Sequence, residues 1–241
     1  MAKTTILPFG NSPLMFYNGT MGLRGIKPKG KVQIVWSPEF AYAIGLITSD
    51  GNLSSTGRHI IFVSKDKEQI TNFLHCLKIA VKVGKTFSGA SGVWVHRVQF
   101  GDVLFYRYLL SIGLSPAKSK TLGALQIPNR YFFDFLRGVF DGDGSTYSYW
   151  DKRWKSSFMF YLCFVSASKV FTDWLRSKIK KFVGAEGHIS KDGKGSTFQL
   201  KYVKTESLKI FKKMYRSKKA VCLSRKRLKI QKTLGIVDQS L

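Results

Sequence analysis

Two stretches, AIGLITSDG at 43–51 and LRGVFDGDG at 136–144, decide how this chain is read. Each is largely apolar, carries a glycine in its interior (Gly45, Gly138) and ends in an Asp-Gly pair. The first is led in by Ser37-Pro38-Glu39. Ser37 can cap a helix, Pro38 suits its first turn, and Glu39 favours the positive end of its dipole. A helix that is apolar nearly all round is buried between other elements. Gly51 can take the left-handed conformation that ends many helices. An interior glycine costs a helix roughly 1 kcal/mol relative to alanine. Close approach of a second backbone offsets that cost, so Gly45 and Gly138 are expected at a helix–helix interface. Packing side by side through them brings Asp50 and Asp143 together at one end.

Outward from these blocks the chain reads as a repeat. After the first come a turn (52–57), a strand-like RHIIFVS (58–64) and a helical KDKEQITNFLHCLKI (65–79). Then follow a Gly/Ser-rich turn, an alternating VWVHRVQF (93–100) and a helical DVLFYRYLLSIG (102–113). After the second come STYSYW (145–150), a basic turn (151–155) and the strand SFMFYLCFVS (157–166). The helix ASKVFTDWLRSKIKKFVG (167–184), the strand STFQLKYV (196–203) and the helix TESLKIFKKMY (205–215) complete it. Phe62-Val63-Ser64-Lys65 sits like Phe164-Val165-Ser166-Ala167, and Val98-Gln99-Phe100 answers Phe198-Gln199-Leu200. The expected fold is α+β, a pseudo-twofold pair of duplicated αββαββα units at 36–120 and 128–235, with a linker running to about 127. A Gly-, Pro- and Lys-rich arm (1–35) precedes them, a basic segment (218–235) closes the second unit, and a tail (236–241) follows.

The 241 residues include 40 Lys and Arg against 14 Asp and Glu, a formal charge of +26, and 44% are hydrophobic. The hydrophobic share excludes a disordered chain. The charge repels itself in the folded state and suits a polyanionic partner, nucleic acid first and an acidic membrane surface second. No apolar run reaches the ~20 residues that span a bilayer. The first residues, MAKTTILPFGNSPLMF, lack the apolar run and cleavage site of a secretory signal, so secretion is not expected. Cys76, Cys163 and Cys222 are far apart and offer neither a disulfide framework nor a CxxC metal site; an intracellular, reducing compartment fits. His59, His75, His96 and His188 form no HExxH-like pair.

Paired carboxylates at the negative ends of two helices repel each other and their own dipoles. A divalent cation resolves both conflicts. Oxygen ligands select Mg²⁺ or a similar hard ion, with water and substrate phosphate completing the shell. Such an ion activates water and stabilises a leaving 3′ oxygen. With a strongly basic chain, this is the chemistry of phosphodiester hydrolysis in DNA.

The two blocks resemble the paired signature motifs of the LAGLIDADG homing endonucleases, in the monomeric form that carries two copies. The likeness covers roughly 36–235 and is closest in FLRGVFDGDG; in the first block Thr48 and Ser49 depart from the common pattern. It implies motif helices at a central interface and two antiparallel, saddle-shaped four-stranded sheets over the DNA major groove, with helices on one face. It also implies staggered double-strand cleavage of a long site, with Asp50 and Asp143 as metal ligands and Asp141 in a supporting role. Mg²⁺ is the implied cofactor; Mn²⁺ is expected to substitute, and Ca²⁺ to support binding without cleavage. Family members often carry a lysine near each site. The candidates are Lys118 or Lys120, with Lys120 favoured, and Lys226 after the last repeat helix.

One face of each alternating strand is expected to read DNA. The candidates in the first unit are Asn52, Ser54, Ser55, Arg58, His59, His96, Arg97 and Gln99. In the second they are Ser145, Thr146, Tyr147, Tyr149, Trp150, Lys152, Arg153, Lys155, Gln199 and Lys201. Tyr147, Tyr149, Trp150 and Trp154 suit either hairpin packing or DNA contact. Double-stranded DNA is the expected partner of a monomer that needs no membrane and no obligate protein partner. The alternatives are a non-cleaving nucleic-acid binder on the same scaffold, such as a regulator or a splicing maturase that binds intron RNA, and a basic RNA-binding module. The ends of the chain lack the nucleophile and His-Asn pair of an intein, so a free-standing or intron-encoded protein is expected.

Overall fold

Helix α1 (Pro38–Asp50) begins as its sequence dictates: the Ser37 hydroxyl accepts the Phe40 amide at 3.1 Å, and Pro38 lies in the first turn. Every residue from Phe40 to Thr48 is buried. The surroundings come from a computed structural model that describes residues 30–89, 92–154, 157–193 and 195–238. Most of the 1–35 arm, and Lys155, lie outside the described residues.

The neighbour that covers α1 is helix α4 (Phe132–Asp143), entered through a 3₁₀ turn at Asn129–Tyr131. The two cross at their interior glycines. A Cβ on Gly45 would lie 2.8 Å from the Val139 nitrogen and collide with the Phe135 carbonyl, and one on Gly138 would lie 3.0 Å from the Leu46 nitrogen and collide with the Tyr42 carbonyl. Only hydrogen fits at either position. Trp36 stacks on Tyr131 at 6.1 Å and accepts its hydroxyl at 2.8 Å, which closes the opposite end of the pair.

Helix α1 leads into β1 (Gly51–Leu53), β2 (His59–Ser64), α2 (Lys67–Leu77), β3 (Val83–Ser88), β4 (Val93–Gly101) and α3 (Val103–Ser111). Helix α4 leads into β5 (Ser145–Trp150), β6 (Phe158–Ser166), α5 (Lys169–Val183), β7 (His188–Lys191), β8 (Phe198–Tyr202) and α6 (Lys204–Met214). Each set of strands makes an antiparallel four-stranded sheet, ordered β1-β2-β4-β3 and β5-β6-β8-β7. The same order of elements occurs twice. Ile60, Phe62, Val98 and Phe100 of the first sheet, and Phe160, Leu162, Phe164, Leu200 and Tyr202 of the second, are buried in the core with the helices. Each large apolar side chain buried in this way contributes about 1.5–3 kcal/mol.

Four elements were not legible as such. Strands β1 and β3 fall in stretches that read as turns, and β7 falls in 185–195, which the sequence pattern leaves unassigned. All three are edge strands, half unpaired, and β3 (VGKTFS) and β7 (HISK) bury none of their residues, so they need no apolar alternation. The basic segment after 218 folds in part as a seventh helix, α7 (Ser224–Asp238), which owes its place to polar contacts more than to an apolar face. The terminal glycines also differ from expectation. Gly51 and Gly144 are extended, both with φ −83°, rather than left-handed. Crowding explains them: a Cβ would lie 2.6 Å from the Ile47 carbonyl oxygen or 2.7 Å from that of Phe140. Among the described residues no helix is long and apolar enough to cross a membrane, and the three cysteines are buried and unbridged.

Candidate active site

The crossing at Gly45 and Gly138 carries the C-terminal ends of α1 and α4 to one place. There Asp50 leans over the second helix, because Gly142 offers no side chain: a Cβ on Gly142 would lie 2.7 Å from Asp50 Oδ2 and collide with Ser49 Oγ. Asp143 follows directly. Burial raises both carboxyls above their ordinary range, and repulsion by Asp143 adds to it at Asp50, which is pushed up to about 7.

Two lysines face them. Lys226, in the first turn of α7, donates to the carbonyls of Phe140 (2.6 Å), Gly142 (3.1 Å) and Gly144 (2.7 Å). Lys118, buried in the linker, donates to the carbonyl of Gly51. Gly51 and Gly144 hold matching places in the two motifs, so each lysine closes the carbonyl end of one motif helix. Desolvation lowers both ammonium groups to about 8, against the pull of the aspartates. Lys120, the lysine favoured from the sequence, is exposed on the outside of the linker. The chain turns tightly here: Ala117 takes φ 51° and the Leu122 amide returns to the Lys118 carbonyl at 2.8 Å. That turn directs Lys118 inward.

The sequence reading missed Gln69. It is buried on α2, donates from Nε2 to Asp50 Oδ2 at 3.3 Å, and accepts the Ser64 hydroxyl at 2.6 Å. The signal was an amide among the apolar positions of an amphipathic helix. Asp141 does not join the pair. Its Oδ2 accepts the Tyr42 hydroxyl at 2.8 Å and the Leu223 amide at 2.7 Å, while burial pushes it up to about 6.

The sheets sort the DNA candidates by parity. His59, Arg97 and Gln99 lie on the face turned away from the helices; Asn52 pairs with Ile61 and Gln99 with the same residue, on that face. By register His96 falls in step with Val98 and Phe100, one residue from Arg97, and both His96 and Arg97 are half-buried. His96 therefore does not share the register of Arg97 and Gln99. In the second sheet Ser145, Tyr147, Tyr149, Gln199 and Lys201 share the outer face, whereas Thr146 is buried on the helix side and Trp150, on that same side, packs on Phe158 at 5.1 Å. Tyr147 and Tyr149 stack on either side of Tyr161, at 4.7 and 6.2 Å. Arg58 is exposed before β2, and Ser54 bonds Thr56 in the turn beside exposed Ser55. Lys152 is exposed in the β5–β6 turn, where Arg153 pairs with Asp151 at 2.9 Å.

Solved structures share this architecture. The homing endonuclease I-WcaI bound to its DNA recognition sequence superposes with a TM-score of 0.57 at 14% identity, over 80% of this chain and 86% of that one. The N-terminal LAGLIDADG domain of DUF199/WhiA gives 0.51 at 17% identity, over 76% of this chain and 85% of that one. This chain has the LAGLIDADG fold. Full-length DUF199/WhiA from Thermatoga maritima gives 0.52 at 15% identity; 84% of this chain is covered, and it spans 66% of that protein's length. No family model and no curated relative matches the sequence. These likenesses assign the LAGLIDADG architecture and leave the reaction to the residues.

Proposed function

We propose that this LAGLIDADG chain is a site-specific DNA endonuclease that cuts both strands of a long site and acts as a monomer. The observation that carries the reading is the convergence of Asp50 and Asp143 at the ends of two helices, each end also holding a buried lysine. The donor set suits a hard cation. Two carboxylates raised by burial, Asp50 also by repulsion from Asp143, gain from a nearby divalent charge, and their oxygens match Mg²⁺. Among the described residues no third His, Cys, Asp or Glu joins them, so water and DNA phosphate supply the remaining ligands. The ion, when bound, lowers the pKa of water and stabilises the leaving 3′ oxygen.

The protein's own groups do the rest. Asp50 and Asp143 would hold the ion, each serving one strand. Gln69 fixes which Asp50 oxygen faces inward. Lys118 and Lys226, lowered to about 8, can take or return a proton at Nζ near neutral pH and offset charge on the phosphate. The outer faces of both sheets bind duplex DNA, with Arg97, Gln99, Gln199 and Lys201 at base edges or phosphates and the tyrosine stack along one strand. The formal charge of +26 gives a steep loss of affinity with salt.

A second reading, a non-cleaving DNA or intron-RNA binder, draws on the same lysines: two ammonium groups offset two carboxylates without any cation. Cleavage of a randomised plasmid library separates the readings. Discrete cuts in Mg²⁺, absent in Ca²⁺ or EDTA and sharing one long motif, establish the nuclease. Salt-sensitive retention of nucleic acid in Ca²⁺ without cuts favours the binder.

A further inference from the structure

Six consecutive residues before and within the first turn of α7 are each tied by a polar contact. The Val221 carbonyl accepts Arg137 Nε at 2.8 Å, and the Cys222 carbonyl accepts Asn72 Nδ2 at 2.9 Å. The Leu223 amide donates to Asp141 Oδ2 at 2.7 Å. The Ser224 amide donates to the Glu68 carboxylate at 3.1 Å, and its hydroxyl donates there too. The Arg225 guanidinium grips Asp66 through Nη2–Oδ2 at 2.8 Å and Nε–Oδ1 at 3.1 Å. Lys226 then enters the site. Arg137 and Asp141 belong to the second repeat; Asp66, Glu68 and Asn72 belong to the first.

We propose that residues 221–226 are a strap through which the first repeat positions Lys226 beside the aspartate pair. Asp66 at the head of α2, Glu68 and Asn72 within it, and Asp141 of α4 act as positioning residues. Helix α2 then does two things at once: it presents Gln69 to Asp50 and holds the segment that carries Lys226. Leu223, fully buried, anchors the middle of the strap, and the acidic contacts at the start of α2 fix the turn that follows. Asp66 and Glu68 lie on the first repeat, yet they govern a lysine that chain order assigns to the second. The geometry stands by itself; its meaning for catalysis rests on the nuclease reading.

The test reads Lys226 directly. Wild-type protein and the double variant Asp66→Asn, Glu68→Gln are treated with an amine-acylating reagent, and the rate at each lysine is followed by mass spectrometry. Lys118, buried in the same site but held by the linker, is the internal control. The strap requires Lys226 to be acylated about fivefold faster in the variant, with Lys118 unchanged. Equal rates at Lys226 overturn it, and so does a parallel rise at both lysines, which signals general loosening. The labelling needs no DNA cleavage. A protein that shows the Lys226-specific rise but never cuts DNA keeps the strap and removes the nuclease reading alone.

Discussion

The ends of the two motif helices are built alike and furnished differently. Asp50 receives a buried carboxamide from Gln69 on α2. At the matching place on α5, counted from the shared Phe-Val-Ser of β2 and β6, stands Phe171, buried and apolar. Thr48 turns its hydroxyl back to the Ile44 carbonyl of its own helix at 2.8 Å, whereas its counterpart Asp141 reaches out to Tyr42 and Leu223. Ser49 faces Gly142, so one helix supplies the side chain and the other the space. The shared parts (glycine crossing, terminal aspartate, capping lysine) bring the acids together. The unshared parts decide how each acid is held. A duplicated scaffold thus carries two unequal sites, and their strands are expected to be cut at unequal rates.

The comparison breaks first at its shared base. Gly138→Val places methyl groups against the Tyr42 carbonyl and should cost more than the ~1–3 kcal/mol usual for overpacking, read as a shift in the denaturant midpoint. Gly142→Ala should also be costly, because rotating the Ser49 hydroxyl leaves the Ser49 Cβ 2.5 Å from the new methyl and the two helix ends must move apart. Gln69→Leu makes the first site resemble the second. It should slow one strand about tenfold and leave the other unchanged, read on end-labelled duplex.

Next comes pH, measured by thermal melts without divalent ions. Asp50 and Asp141 keep their protons in the folded state up to about 7 and about 6, while the unfolded chain releases them from 3.8 upward. The folded state binds more protons in that window, so stability falls as pH rises through it. Lys118 and Lys226 behave oppositely. Folded they lose a proton at about 8, unfolded at 10.5, so stability rises across that interval. Asp50→Asn should make the acidic limb shallower, leaving the part that belongs to Asp141, and should start the alkaline limb at lower pH, because Lys118 and Lys226 lose the pull of one carboxylate. The smallest effect is expected at the sheets: Tyr147→Ala should weaken DNA binding by about 1 kcal/mol through loss of its stack on Tyr161.

The sequence carried the architecture because its strongest signals were steric. An interior glycine in a buried apolar helix has few explanations other than close contact, and its occurrence twice, each time before an Asp-Gly, gave the duplicated α+β fold. Signals that depend on a single bend were not legible. Lys118 and Lys120 differ only in where the turn at Ala117 directs them. His96 and Arg97 differ by one step of strand register, which residue type alone does not show. Gln69 lies on α2, 19 residues from Asp50, and its local mark, an amide among apolar positions, does not name the partner. Strands β3 and β7 lack a buried face, and α7 is held by acids of the other repeat, so neither shows the periodicity that a core-facing element must have.

The central claim is that Asp50 and Asp143 serve one strand each. Its most direct test is Mg²⁺-dependent cleavage of a duplex carrying the selected site, labelled separately on each strand, with wild-type, Asp50→Asn and Asp143→Asn proteins. The account predicts that each variant still binds the duplex and chiefly slows a different strand, leaving nicked product or none. Double-strand cleavage at the wild-type rate by Asp143→Asn would contradict it.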